Sequence, residues 1–259
     1  MTAEAFTQAS VQGTYALAVS GHGGDGLFTA LGLLEFDGRG TVSGSITENR
    51  PADRYGDRTI VTVPYRAMYT VDANGIGATT LPVGEQDSIF SIRQMGVVGV
   101  ANGSRTAQEL SVVFQRLDIA TGTLKTGIAT RLPDGAAFNN GSLRGRYVGA
   151  SVSRGGQATA AGFGVLTYDG NGGFSESNVA NVQGQSFRDR QLISRSDQGT
   201  YNVHADGTGV VADGGVVFVI TRATLNDGIA IAEEYVFFVR DLMPATGVLF
   251  TGVTKRLSD

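Results

Sequence analysis

Apolar and polar residues alternate along most of this chain, at the period of two that places one set of side chains on each face of a β-strand. Residues 13–19 (Gly-Thr-Tyr-Ala-Leu-Ala-Val) open the series, with Tyr15, Leu17 and Val19 on a common face. Residues 28–36 and 41–49 read as the next two strands, joined by Asp37-Gly38-Arg39-Gly40. Asp-Gly-x-Gly between alternating runs is a hairpin signal, because glycine supplies the positive φ angles that a tight turn requires. Residues 59–65 read as an edge or bulged strand, since Pro64 lacks the N–H that a ladder needs. Beyond a few residues of the polar lead, no segment of ten or more residues carries a helical period.

The pattern is written twice. Asp37-Gly38-Arg39-Gly40 recurs as Asp169-Gly170-Asn171-Gly172, an offset of 132 positions that also relates Tyr15 to Tyr147 and residues 69–77 to 201–209. Later runs match at an offset of 125: Glu109 with Glu234, and residues 120–132 with 245–257. The second copy has therefore lost seven residues after Gly209, and the region around 88–103 is where the loss is expected. Each copy holds seven or eight strands, and closing such a meander removes the exposed edges that invite aggregation. The expected fold is all-β: two similar antiparallel seven- or eight-stranded barrels in tandem, related by a pseudo-twofold axis. One continuous large sandwich is the alternative. Residues 1–132 form the first repeat and 143–259 the second; residues 133–142 (Pro-Asp-Gly-Ala-Ala-Phe-Asn-Asn-Gly-Ser) have linker composition.

Composition narrows the partners. Glycine numbers 38 of 259 residues, about twice the average share, as many tight turns require. A net charge of −4 with scattered Lys and Arg leaves no basic stripe, so nucleic acid is not an expected partner. There is no cysteine, and the two histidines stand far apart, so neither a thiol nucleophile nor a metal centre is expected, nor any cofactor. No run approaches the ~18 apolar residues of a spanning helix. The first ten residues lack signal-peptide character. A cytoplasmic location is the expectation, with an exported mature domain as its alternative. The Gly-rich residues 21–26 precede a strand rather than a helix, which argues against a phosphate cradle.

Gly13-x-Tyr15 and Gly145-x-Tyr147, opening the first strand of each copy, resemble the Gly-x-Trp opening of calycin (lipocalin-like) barrels, with Tyr in place of Trp. The pattern is also similar to small bacterial barrels of the allene-oxide-cyclase-like kind. The resemblance implies a cup for a small apolar molecule, used for carriage or for cofactor-free chemistry. In calycins an Arg near the last strand packs across the aromatic ring, and Arg131 and Arg256 are placed to do so, at ~1 kcal/mol per cation–π contact.

Among residues of a type suited to chemistry, Asp57-Arg58 and Asp189-Arg190 recur at offset 132. Each pair reads either as an ion pair pinning a loop or as an Arg set to hold an oxyanion. Glu48 shares a strand face with Val42 and Ile46, which suits a general acid or base. Tyr65, following Pro64, is the remaining catalytic candidate. A ligand cavity is expected to draw on Tyr15, Phe28, Leu34, Tyr69 and Phe114, with Asp189 at its mouth. The copies diverge at 65/197 (Tyr, Asp) and 48/180 (Glu, Ala), so one barrel is expected to hold any site. Three functions stay open: a barrel that binds a small apolar or aromatic molecule, a cofactor-independent isomerase, cyclase or lyase, and a scaffold with filled barrels. A homodimer is compatible with each.

Overall fold

The computed structural model describes residues 5–22, 27–51, 58–82, 86–97, 105–118, 123–154, 160–184, 189–211, 215–239 and 249–258. Among them sixteen strands form two closed antiparallel barrels of eight. The first barrel runs β1 (Gln12–His22), β2 (Phe28–Asp37), β3 (Thr41–Pro51), β4 (Arg58–Val71), β5 (Ile76–Thr80), β6 (Gln86–Val97), β7 (Arg105–Asp118) and β8 (Thr123–Arg131). The second runs β9 (Arg144–Arg154), β10 (Ala160–Asp169), β11 (Gly173–Gln183), β12 (Arg190–Val203), β13 (Thr208–Val211), β14 (Val216–Asn226), β15 (Ile229–Val239) and β16 (Leu249–Arg256). Each is a meander, closed where β1 pairs with β8 and β9 with β16. The continuous sandwich does not form. Helical structure among the described residues is confined to single 3-10 turns at Gln8–Ser10 and Asn140–Ser142.

The duplicated turn works as its residues dictate. The Asp37 carboxylate accepts from the backbone N–H of Arg39 at 2.7 Å and of Thr41 at 2.8 Å, while Gly38 and Gly40 take φ of 72° and 114°. Asp169 repeats this with Asn171 at 2.7 Å and Gly173 at 2.9 Å. These backbone donors hold both carboxyls below the usual carboxylate range.

Pro64 does not end a strand. It lies within the 14-residue β4, and β5, only five residues long, pairs with Met68–Val71. Pro64 therefore sits beyond the β5 ladder, where a missing donor costs no bond on that side.

The seven-residue loss is split. Ile76 and Thr208 keep the offset of 132, but Ile92 matches Ile220 at 128 and Leu110 matches Tyr235 at 125. Four residues are gone before β14 and three between β14 and β15. The shortened connection is Asp227-Gly228, with φ of 51° and 82°, the backbone a two-residue hairpin needs.

Residues expected to be a linker carry structure of their own. Phe138 donates its backbone N–H to Ala205 and rests its ring on Gly207, as Phe6 does to Ala73 and on Gly75. Residues 138–142 are thus the second copy of the N-terminal lead. Each lead is tied down by a buried tyrosine: Tyr69 OH donates to Val11 O at 2.8 Å, and Tyr201 OH lies 2.8 Å from the carbonyls of Asn140 and Leu143.

Candidate functional site

The interior of the first barrel is built around an edge-to-face chain of rings. Phe36 meets Tyr15 at 5.2 Å, Tyr69 at 5.0 Å and Phe90 at 6.3 Å between centroids. Tyr15 OH crosses the barrel to donate to Ala107 O at 2.6 Å. Leu17, Leu34, Ile46, Leu110 and Phe114 fill in around the rings, and about 20 Å³ of space remains. That volume is about one water molecule's worth.

One side of this space is polar. Tyr65 OH donates to Asp87 Oδ2 at 2.9 Å and lies 3.2 Å from Thr79 Oγ1, which is 2.7 Å from Ser88 Oγ. Burial, and then the Asp87 charge, push the Tyr65 phenol well above its ordinary range. The second barrel has Asp197, Val211 and Val216 at the corresponding places, so the cluster belongs to one copy. Thr79, Asp87 and Ser88 were not legible as partners of Tyr65, because their meeting depends on the register of the short β5 against β6.

The recurring Asp-Arg pairs resolve into a different contact. Arg58 Nε donates to Asn49 Oδ1 at 2.7 Å and its Nη2 donates to Asn49 O at 2.8 Å. Arg190 grips Asn181 in the same way, at 2.8 Å for both bonds. Each Arg closes the hairpin it stands in, β3–β4 or β11–β12. Burial lowers the Arg58 guanidinium to about 10, which leaves it charged at neutral pH. Asp57 lies outside the described residues. Asp189 is exposed, and its carbonyl accepts from Gly184 N–H at 2.8 Å to shut the hairpin end. The shared offset of Asn49/Asn181 and Arg58/Arg190 was the available signal for this clasp.

The other candidates disperse. Glu48 is half-buried on β3 and does not line the interior space. Phe28 is buried, with the Lys125 ammonium 4.0 Å above its ring. Leu34 and Phe114 line the interior, and Tyr69 anchors the lead. Arg131 and Arg256 stand opposite Tyr15 and Tyr147 in the ladders, but neither guanidinium stacks on the ring. Arg131 folds across Gly13, where a Cβ would lie 2.9 Å from it, and donates to Gln12 O and Asp134 Oδ1 at 2.8 and 2.5 Å. A backbone at φ 101° without a side chain leaves a slot beside the strand, and the slot takes the guanidinium. Glu109 pairs with Arg93 at 2.9 Å and Glu234 with Lys255 at 3.2 Å. His204 is exposed, its Nδ1 2.9 Å from Thr208 Oγ1. Among the described residues no three His, Asp or Glu side chains converge as metal ligands would.

No family model matches the sequence, and no curated protein does. Two solved structures are similar at low score. The apo haemoglobin receptor HpuA from Kingella denitrificans is 11% identical, with 85% of each chain covered and a TM-score of 0.30. CghA is 10% identical, with 95% of this chain and 88% of that one covered and a TM-score of 0.23.

The second barrel is filled differently. Tyr147, Tyr168, Tyr201 and Tyr235 pack together, and the hydroxyls of Tyr168 and Tyr235 share a 2.6 Å hydrogen bond. Its outer wall is more open than its core. A broad hollow of about 710 Å³ lies across β9–β12, lined by Arg146, Thr167, Ser175, Ser177, Ser196 and Gln198. Beside it the same wall exposes Phe163 and Leu192.

Proposed function

We propose that this chain is a binding scaffold, with filled barrels and with recognition carried by an outer wall. The observation behind this reading is the 20 Å³ left inside the first barrel. Pockets for small-molecule ligands run to about 300–1,000 Å³. The phenols of Tyr15, Tyr69, Tyr147 and Tyr201 are already engaged with backbone carbonyls, so the interior groups that would orient a ligand hold the barrels together instead. The test is an NMR titration of the isotopically labelled chain with benzene and indole. Unchanged Leu17, Leu34 and Leu110 methyl signals are expected; a saturable shift of those signals would overturn the reading.

A second reading, carriage of a small apolar or aromatic molecule, draws support from the Tyr65–Asp87–Thr79–Ser88 cluster, which faces an apolar space in one copy alone. The calycin resemblance at Gly13 and Tyr15 agrees with it. Acid–base catalysis as an isomerase, cyclase or lyase draws less support, because Arg58 is held by Asn49 and Glu48 is not among the residues that line the interior space.

A further inference from the structure

The hollow on the outer wall of the second barrel is polar, and one charge in it stands unbalanced. The ladders set Arg146 of β9, Thr167 of β10, Ser175 of β11 and Gln198 of β12 in one row, with Val165, Ser177 and Ser196 in the next. At ~4.8 Å between strands the first row runs about 14 Å, longer than a single sugar ring. Its Ser, Thr and Gln side chains each donate and accept. Arg146 is exposed, and among the described residues no carboxylate pairs with it. Lys255, a neighbouring cation on β16, is instead held by Glu234 at 3.2 Å. Glu176 and Asp197 border the hollow from positions that alternate with its serines. Their carboxylates are engaged: Glu176 Oε1 accepts from Asn178 Nδ2 at 2.9 Å, and Asp197 Oδ1 accepts from the Gln198 backbone N–H at 2.8 Å.

The duplication supplies the comparison. At the offset of 132 the first row corresponds to Thr14, Glu35, Ser43 and Arg66, one acid and one base. Thr14 faces Glu35 in the first barrel, where Arg146 faces Thr167 in the second. The second copy therefore presents a guanidinium among hydroxyls with no acid in the row. The chain as a whole carries −4, so this wall departs from the sign of the rest and favours an anionic group. A planar guanidinium grips a carboxylate through two parallel hydrogen bonds.

We propose that the hollow binds an acidic polysaccharide, a sugar chain that carries carboxylates, with one carboxylate on Arg146 and sugar hydroxyls on Thr167, Ser175, Ser177, Ser196 and Gln198. The proposal rests on the reading of the protein as a scaffold that recognises through its outer wall. The space of about 710 Å³ lies within the range of ligand sites. A hydroxyl-rich chain exchanges hydrogen bonds along rows of groups that both donate and accept. An apolar peptide or lipid would find only Val165 in those rows. A polyanion of high charge density, such as nucleic acid, would meet one free guanidinium on a chain of net charge −4.

The test is affinity electrophoresis of the full chain at neutral pH, in native gels cast with polygalacturonate, with uncharged dextran or with polyphosphate. Retarded migration is expected in polygalacturonate alone. Arg146→Ala should weaken that retention about tenfold, with the tyrosine near-UV circular dichroism unchanged. Arg39→Ala, at an exposed turn of the first barrel, should leave it as it is. Should Arg146→Ala fail to fold, Ser177→Trp, which fills the hollow, should remove retention in its place. A chain that polygalacturonate does not retard overturns the proposal. So does equal retention in dextran or polyphosphate, and so does retention indifferent to the folded hollow variant. A chain that ignores polygalacturonate while its interior rejects benzene and indole would sink the polysaccharide site and leave the scaffold reading intact; Arg146-dependent retention with a saturable interior shift would do the reverse.

Discussion

Tyr168 and Tyr235 share a 2.6 Å hydrogen bond in the second barrel, where the first barrel has Phe36 and Leu110. Where one barrel has two apolar side chains, the other has two phenols that satisfy each other. A buried hydroxyl without a partner costs about 1–3 kcal/mol, so either change alone would be penalised. The expected result for Tyr168→Phe is a loss of about 1–2 kcal/mol. Tyr168→Phe combined with Tyr235→Phe should lose less than the sum of the two single changes, with a coupling of about 0.5 kcal/mol or more. Urea unfolding followed by near-UV circular dichroism measures all four corners of the cycle; strict additivity would contradict the pairing.

The Arg58–Asn49 clasp and its copy at Arg190–Asn181 differ in burial. Asn49 is 1% exposed, whereas Asn181 and Arg190 are exposed. Lysine cannot reproduce the two-pronged grip of a guanidinium. Arg58→Lys should therefore cost about 1–3 kcal/mol, and Arg190→Lys about 0–1 kcal/mol. Urea midpoints of the two variants would test this order, and equal losses would contradict it.

Alkaline pH should unfold the protein through its phenols. Burial is the largest cause raising Tyr15, Tyr65, Tyr69, Tyr147, Tyr168, Tyr201 and Tyr235 above the ordinary 10.0. Tyr69, Tyr201 and Tyr235 are pushed up to about 12. A group whose folded pKa is raised contributes stability that is intact below its unfolded pKa and lost as pH climbs toward the folded value. Stability should hold up to about pH 10 and fall between 10 and 12, with these phenols ionising as the circular dichroism collapses. Phenols that all titrate near pH 10 in a native chain would contradict this.

Two cross-strand glycines admit a ring. A Cβ on Gly77 would lie 2.2 Å from Phe90 Cζ, and one on Gly209 would lie 2.2 Å from Phe218 Cζ. Phe90 and Phe218 lie directly opposite those glycines in the ladders. Gly77→Ala and Gly209→Ala should each destabilise by about 1–3 kcal/mol, seen as lower thermal midpoints. An unchanged midpoint would show that the ring can move aside.

Much of this fold was legible because turns are local. Asp37-Gly38-Arg39-Gly40 states its hairpin within four residues, and its recurrence at Asp169 carries the same statement into the second barrel. Alternation likewise put Tyr15 and Leu17 inside. Contacts across the ladder were harder. The partner of Arg58 is Asn49, nine positions away, and that distance follows from hairpin register, not from sequence neighbourhood. The Tyr65–Asp87 contact depends on two ladders at once. The slot at Gly13 that takes Arg131 depends on a backbone angle. A family analogy implied a cavity, whereas the volume left inside is set by how the side chains of many strands interlock, and no local pattern states that.

The most direct measurement is native mass spectrometry of the pure chain after incubation with a metabolite extract. The scaffold account expects the mass of the chain alone, with no small molecule retained. A compound held at one per chain, and lost when Tyr65→Phe removes the Asp87 contact, would contradict it and make the first barrel a carrier.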